Sequence, residues 1–380
     1  MREAMDGTRD PPASVKGKKV LHVCDTVAGG TGTYLTELLT RQLELYGAGN
    51  VILFIPQDHE HYLEPDLRNS AVTLEFFRRP GRYRGLANLS LRYREVWNRH
   101  RPDVVHAHST GAGLVTRLFP RPSKGVLVYC AHGWTFEMSK RPTMRKLFAM
   151  LERVLSRRAD HIIAISQYEY DRGLEIGIDQ QKISTILNGI TQTPPAVAPA
   201  DWDDDRLKLL FVGRFDRQKG LDVLLEAAEP LVDRVCIRAV GDHVVDPRSP
   251  AVAERPGASF LGWMSREEVT AQMLSADVLV IPSRWEGFGL VAVEAMRCKL
   301  PVAGSAVGGL NEILESGLYG FMFPSDNVLA LRRFLGEVTQ EQLADYRDRA
   351  YEHFLLNYTA ERLVAEIDGL YDRLLIAGRP

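Results

Sequence analysis

The sequence predicts an α/β protein: two doubly wound parallel-sheet domains facing each other across a cleft. Three observations carry this expectation. Short β-branched runs alternate with helical patterns through most of the chain, the signature of parallel strands with helices on both faces. The alternation stops once, at ITQTPPAVAPADWDDD (190–205), a proline-rich, acidic stretch without period that reads as an interdomain linker. Beyond it the alternation restarts over a similar length.

In chain order, residues 1–17 are polar, carry paired prolines and lack a hydrophobic run, so they read as a loose tail and not as a signal peptide. Strands are expected at KKVLHVCD (18–25), NVILFIP (50–56), DVVHAHS (103–109), GVLVYCAH (125–132), HIIAIS (161–166) and KISTILNG (182–189). YLTELLTRQLELYG, LSLRYREVWNRH and PTMRKLFAMLERVLSRRA carry helical spacing between them. Residues 18–192 thus form the first domain and 193–206 the linker. The second domain, 207–355, is expected to build its sheet from LKLLFVGR, VCIRAVGD, ASFLGW, DVLVIPS, PVAGSAVGG and GFMFP. Its helices are LDVLLEAAEPLV, SREEVTAQMLSA, GLVAVEAMRC and GLNEILESG, and in SREEV the pair Ser265 and Glu268 has capping-box spacing. A long helical segment (337–377) follows, and 356–380 is expected to cross back to the first domain.

Composition narrows the function classes. With 45% hydrophobic and 25% charged residues the chain is ordinary globular material, and no apolar run reaches the ~20 residues of a membrane span. Cys24, Cys130, Cys236 and Cys298 are far apart and form no CxxC, which suits reduced core thiols in a cytoplasmic protein. The net charge of −2 conceals a basic stretch, Arg68–Arg158, with 19 Lys+Arg against 5 Asp+Glu. Such a block implies an anionic partner. Inside it, one helix face carries Leu147, Met150, Leu151, Val154 and Leu155, which core packing explains. Its flanks carry Arg145, Lys146, Arg153, Arg157 and Arg158. Together with FFRRPGRYR (76–84), these cations suggest a domain that leans peripherally on an anionic membrane or grips a pyrophosphate-linked lipid. No nucleic-acid motif accompanies the charge, so nucleic acid is not an expected partner.

Chemistry concentrates at strand ends. After the first strand, VAGGTGTYLTELL brings Gly29 and Gly30 to a helix start, where free N–H groups and the positive dipole end suit an anion. As a dinucleotide fingerprint this turn is poor: the third glycine is replaced by Leu35, and no acidic residue ends the second strand. In LLFVGRFDRQKG, Arg214 and Lys219 follow a strand within one loop, a planar fork and a point charge suited to a diphosphate. In SRWEGFGLVAVEAM, Glu286 lies before a helix and Glu294 about one turn inside it, so the two carboxylates stand at different depths. Carboxylates accept paired hydrogen bonds from vicinal diols, one suiting a sugar ring and the other a ribose. Gly287 and Gly289 allow the backbone close to a ligand.

The E-x7-E spacing, the GR….KG loop, the tandem halves and ILNGI before the linker closely resemble the retaining glycosyltransferase family 4, of the GT-B fold with its two Rossmann-like domains, over about residues 18–375. The resemblance implies that Glu294 holds the nucleotide ribose, that Glu286 contacts the transferred sugar, and that Arg214 with Lys219 neutralises the leaving diphosphate. It further implies that Gly29 and Gly30 approach the diphosphate across the cleft, and that Phe288, Gly289 and Leu290 offer main-chain contacts to sugar and phosphate. His132, before Gly133, matches the family's His-Gly at the sugar's reactive face, so His132 and Glu286 are the expected catalytic residues. His108 is placed tentatively on the acceptor side.

The expected activity is transfer of a hexose from a nucleotide-diphosphate sugar, with retention, to a glycan or polyprenyl-pyrophosphate-linked acceptor in surface polysaccharide assembly. The nucleotide sugar is a co-substrate and no cofactor is expected; UDP is favoured over GDP. Trp263 lies either in the core or beside the base. No metal is expected: His106 and His108 share a strand face without a third ligand spaced nearby, and Asp201-Trp202-Asp203 lies in the linker. A glycosidase pairing of Glu286 with Glu294 would leave the phosphate-binding cations without purpose. An epimerase on the same scaffold, or a non-catalytic sugar-nucleotide binding protein, are the alternatives.

Overall fold

The computed structural model describes residues 17–119, 125–138, 141–242 and 255–377, except the Arg82 side chain. The tail 1–16 and, in the basic stretch, Arg121, Lys124 and Lys140 lie outside the described residues.

The first sheet contains β1 (Val20–Cys24), β2 (Val51–Pro56), β3 (Thr73–Phe77), β4 (Val104–His108), β5 (Val126–Cys130), β6 (His161–Ala164) and β7 (Ile183–Thr185). Their spatial order is β3-β2-β1-β4-β5-β6-β7, and every pairing is parallel. The second sheet contains β8 (Leu207–Val212), β9 (Val235–Val240), β10 (Ala258–Gly262), β11 (Val278–Ile281), β12 (Val302–Ser305) and β13 (Phe321–Phe323). Its order is β10-β9-β8-β11-β12-β13, again all parallel. β1 and β2 are buried along their whole length, so they read as continuous apolar runs, as strands covered on both faces do.

Strand β3 is the one element of the sheets that the sequence reading omits. TLEFF carries Glu75 at its centre, which breaks the apolar pattern. That carboxylate is nevertheless buried, because Arg99 Nη1 donates to it at 2.6 Å and His100 Nε2 lies 2.8 Å away. The helical segment expected over 337–377 is two helices, Gln340–Asn357 and Ala360–Ala377, preceded by a third, Val328–Glu337. Ala360–Ala377 packs on the first domain: Lys18 Nζ bonds Asp372 Oδ1 at 2.6 Å as well as Asp368, and Tyr46 Oη donates to Asp368 Oδ1 at 2.6 Å.

The chain passes between the two domains at adjacent points. Ile190 N donates to Tyr358 O and Ala360 N to Ile190 O, both at 2.9 Å. Beside this crossing, Glu37 is 2% exposed. It accepts from Thr191 N (2.9 Å), Thr191 Oγ1 (2.7 Å), Arg41 Nη1 (3.1 Å) and, from the second domain, Arg266 Nη2. Four donors compensate the carboxylate for lost water.

Two expectations about side chains change. In the helix Pro142–Ser156, Leu155 is buried, but Leu147, Met150 and Val154 are 48%, 59% and 54% exposed. Core packing therefore does not account for that apolar face. The inward position belongs to Glu152, paired with the buried Arg117 at 2.7 Å. Trp263 is 56% exposed and so is not a core residue, whereas Trp202 of the linker is buried, with the Arg238 guanidinium 4.5 Å from its ring centre.

Candidate active site between the two sheets

In each sheet the strand order reverses once, between β1 and β4 and between β8 and β11. Crevices at the carboxyl ends of strands at such reversals are where open parallel sheets bind ligands. Four loops therefore matter, and the expected donor-binding and catalytic residues lie on them, at the end of neighbouring β5, or on the helix that follows β11, whereas His108 ends β4 and Trp263 follows β10.

After β1, Gly29 (φ +76°) caps the helix Gly30–Tyr46. A side chain at Gly29 would stand in open space, whereas a Cβ at Gly30 would lie 3.3 Å from Leu290 Cδ1 of the second domain. Leu290 opens the helix Leu290–Arg297, capped by Gly289 (φ +109°). Two helix N-termini, one per domain, thus face each other closely, and their free N–H groups and dipole ends favour an anion between them.

After β8, Arg214 Nη2 donates to Gln218 Oε1 (2.8 Å) and lies 3.1 Å from Asp216 Oδ2. Lys219 Nζ reaches across to the loop after β11 and donates to Glu286 Oε2 at 2.7 Å; Ser283 Oγ donates to the same oxygen at 3.2 Å. Lys219 and Glu286 were read separately, as phosphate and sugar ligands; they stand as one ion pair. Phe288 is buried against Tyr358, ring centres 5.9 Å apart, which leaves only its main chain for a ligand. Glu294 is part-buried, and desolvation lifts its carboxyl above the ordinary range against the pull of Arg297 and Arg266.

After β5, His132 adopts φ +52°, left-handed for a residue with a Cβ, followed by Gly133 at φ +115°. Strain of this kind persists where the surroundings over-determine it. His132 is part-exposed, and its Nε2 lies 3.0 Å from His108 Nδ1. His108 itself is fully buried, so it backs His132 and does not line the acceptor side. The cause is register: His108 ends β4 with its partner Cys24 on β1 and Cys130 on β5, in the centre of the sheet.

His108 Nε2 lies 3.0 Å from His22 Nδ1, and His22 Nε2 lies 2.7 Å from Gln42 Oε1. His106 Nδ1 lies 2.7 Å from Tyr371 Oη of the returning helix. Burial holds His22 down to about 4 and His132 to about 3, and holds His106 and His108 well below the histidine range. The reason given for setting a metal aside fails here. His22 supplies a third ring, and one ligand atom from each of His22, His106 and His108 lies within 4.8 Å of the others.

Glu169 went unnoticed in the sequence. It is buried in the helix Gln167–Glu175, its Oε1 has no partner, and a Cβ at Gly287 would lie 3.1 Å from that oxygen and 3.6 Å from Gly133 Cα. Desolvation lifts its carboxyl to about 8. Gln167 N and Tyr168 N of the same helix donate to Glu312 of the second domain, at 2.7 and 2.6 Å. Ser166 and Glu169 have capping-box spacing, and Glu169 N donates to Ser166 Oγ at 3.1 Å, but only the fold brings the carboxyl beside Gly287.

Two Rossmann-like parallel-sheet domains with a shared cleft make a GT-B fold. The chain belongs to glycosyltransferase family 4: the Glycosyltransferase Family 4 model matches residues 28–192, and the Glycosyl transferases group 1 model matches 206–340. An uncharacterized 41.2 kDa protein in the cps region of Klebsiella pneumoniae is 32% identical, over 80% of this chain and 85% of its own. The UDP-Gal:alpha-D-GlcNAc-diphosphoundecaprenol alpha-1,3-galactosyltransferase of Escherichia coli is 26% identical, over 72% and 76%. Among solved structures, sucrose-phosphate synthase from Thermosynechococcus elongatus superposes with TM-score 0.79 at 20% identity, covering 95% of this chain and all of that one. HepE of Anabaena in complex with UDP-glucose superposes with TM-score 0.77 at 19% identity, covering 93% and 99%. Among the described residues, no helix is long and apolar enough to cross a membrane.

Proposed function

We propose that this glycosyltransferase moves a hexose from a UDP-sugar, with retention and without a metal, onto a glycan or polyprenyl-pyrophosphate-linked acceptor in surface polysaccharide assembly. The observation that carries the donor half is the meeting of the Gly30 and Leu290 helix starts within side-chain contact, beside Arg214, Lys219 and Glu286. The helix ends and the two cations receive the diphosphate; Glu294 takes the ribose, Glu286 the sugar, and Phe288, Gly289 and Leu290 contribute main chain. His132 stands at the reactive face. Charge that develops on the leaving diphosphate is stabilised by groups already oriented toward it, and that diphosphate takes the proton of the incoming hydroxyl on the same face.

Lipid-linked acceptors and polysaccharide assembly are supported by the relatives in a cps region and on diphosphoundecaprenol. The exposed Leu147, Met150 and Val154 between Arg145, Lys146 and Arg153 support peripheral contact with an anionic membrane. The test is a panel of UDP- and GDP-sugars screened for slow donor hydrolysis in the presence of EDTA, with NMR of the anomeric product. One UDP-sugar turned over with retained configuration is expected. Absence of both hydrolysis and calorimetric binding with every nucleotide sugar would sink the reading; dependence on added metal would remove its metal-free part.

A further inference from the structure

Behind His132 runs an unbroken line of polar side chains: Gln42 Oε1, His22, His108 and His132, with successive contacts of 2.7, 3.0 and 3.0 Å. Gln42, His22 and His108 are 0% exposed, and the three histidines come from β1, from β4 and from the turn after β5. We propose that this line dictates the tautomer of His132, leaving its Nδ1 unprotonated as a hydrogen-bond acceptor for a hydroxyl group in the cleft.

Each residue constrains the next. An amide oxygen only accepts, so His22 carries its proton on Nε2 and presents a lone pair at Nδ1. His108 then donates from Nε2 and accepts at Nδ1. His132 must donate from Nε2, which empties its Nδ1 of hydrogen. A protonated His22 or His108 would place two donors against each other, and burial disfavours the charged form of all three rings. Both ring nitrogens of His22 and of His108 are already engaged in this line, so a metal on His22, His106 and His108 would have to displace one of its contacts.

The chemical consequence is a preference. His132 Nδ1 accepts a hydrogen bond from a hydroxyl but does not donate one, so it suits an O–H of the sugar or of the acceptor. Gln42, His22 and His108 are positioning residues acting through it. The catalytic meaning rests on the sugar-transfer reading above; the tautomer itself does not.

Long-range ¹H–¹⁵N correlation spectra of the full chain, labelled at histidine ring nitrogens, separate both neutral tautomers from the cation. Between about pH 5.5 and pH 8 the spectra are expected to show His22, His108 and His132 protonated on Nε2 only. A Nδ1–H form of His132, a cationic ring in the line, or ring shifts of metal coordination at His22 and His108 would each overturn the proposal. In Gln42→Met, which keeps shape but removes the acceptor, His132 should populate both tautomers, and kcat should fall about tenfold, the size of one lost hydrogen bond, with donor KM little changed. An unaltered His132 tautomer in a folded Gln42→Met chain would also overturn it. Should that variant not fold, the wild-type spectra alone decide. Absence of any sugar transfer with the expected tautomers in place would refute the proposed function and leave this line standing.

Discussion

Lys219 Nζ lies 2.7 Å from Glu286 Oε2, so the cation expected at the donor phosphates and the carboxylate expected at the donor sugar hold each other. Both are largely shielded from solvent, where such a pair is stronger than at a surface. A donor that binds both must exchange this contact for its own. Glu286→Gln removes the competing charge and frees Lys219. We expect UDP to bind Glu286→Gln a fewfold more tightly in calorimetry while transfer falls by about a hundredfold, the loss typical of an oriented transition-state contact. Weaker UDP binding in this variant would show that Lys219 does not meet phosphate.

That pair shows where a linear reading stops. Arg214 and Lys219 were legible because one loop after β8 carries both, and Glu286 and Glu294 because one loop and helix after β11 carry both. Their pairing was not, since it depends on β8 and β11 being neighbours in the sheet. The same holds for the histidines. His22 sits in VLHVC without any local mark, and only the register that sets it opposite His106 on β4 makes a cluster. The alternation of strands and helices was visible because burial on both faces leaves continuous apolar runs. Strand β3 escaped because its buried glutamate relies on Arg99 and His100, at the far end of the helix that follows. The face of Leu147, Met150 and Val154 was assigned to the core on apolarity alone, while the buried Arg117–Glu152 pair takes the inward place.

Stability should pass through a maximum near neutral pH. The unfolded chain loses the Glu169 proton near 4.5, while the folded chain keeps it to about 8. Between these values the folded state binds more protons, so stability falls as pH rises, by up to about 5 kcal/mol from this group. The buried histidines act oppositely. Their ordinary value is 6.5 and burial depresses it, to about 4 for His22 and about 3 for His132. Below 6.5 the unfolded chain takes up protons that the folded chain refuses, and stability falls with pH. Urea unfolding across pH 5 to 9 measures both limbs. Glu169→Gln should flatten the alkaline limb and leave the acid limb; loss of the acid limb instead would reassign the effect.

Gly29→Ala separates backbone strain from function. Gly29 (φ +76°) and Gly49 (φ +79°) have similar positive-φ backbones, and a Cβ at either meets nothing within 4 Å. Each substitution should cost about 1–3 kcal/mol of stability from the positive-φ backbone alone. Gly49 lies in the turn before β2, whereas Gly29 opens toward Leu290. Donor hydrolysis should therefore drop tenfold or more in Gly29→Ala and stay near wild type in Gly49→Ala. Equal activities in the two variants would mean that no ligand passes beside Gly29.

The helix Pro142–Ser156 offers the clearest test of membrane contact. Leu147, Met150 and Val154 recur at three- and four-residue spacing on one exposed face, with Arg145, Lys146 and Arg153 exposed beside them. Apolar side chains of this size entering the headgroup region contribute about 1 kcal/mol or more each, and each nearby cation about 1 kcal/mol on an anionic surface. Replacing all three apolar residues by serine should abolish co-sedimentation with vesicles containing anionic lipid at low salt. Replacing Arg145 and Arg153 by glutamine should weaken it and reduce its salt dependence. Because the three side chains are already in water, neither change should lower the melting temperature or slow hydrolysis of the soluble donor. Unchanged sedimentation of the serine variant would show that this face does not meet the membrane, and a fall in melting temperature would show that it is covered by protein instead.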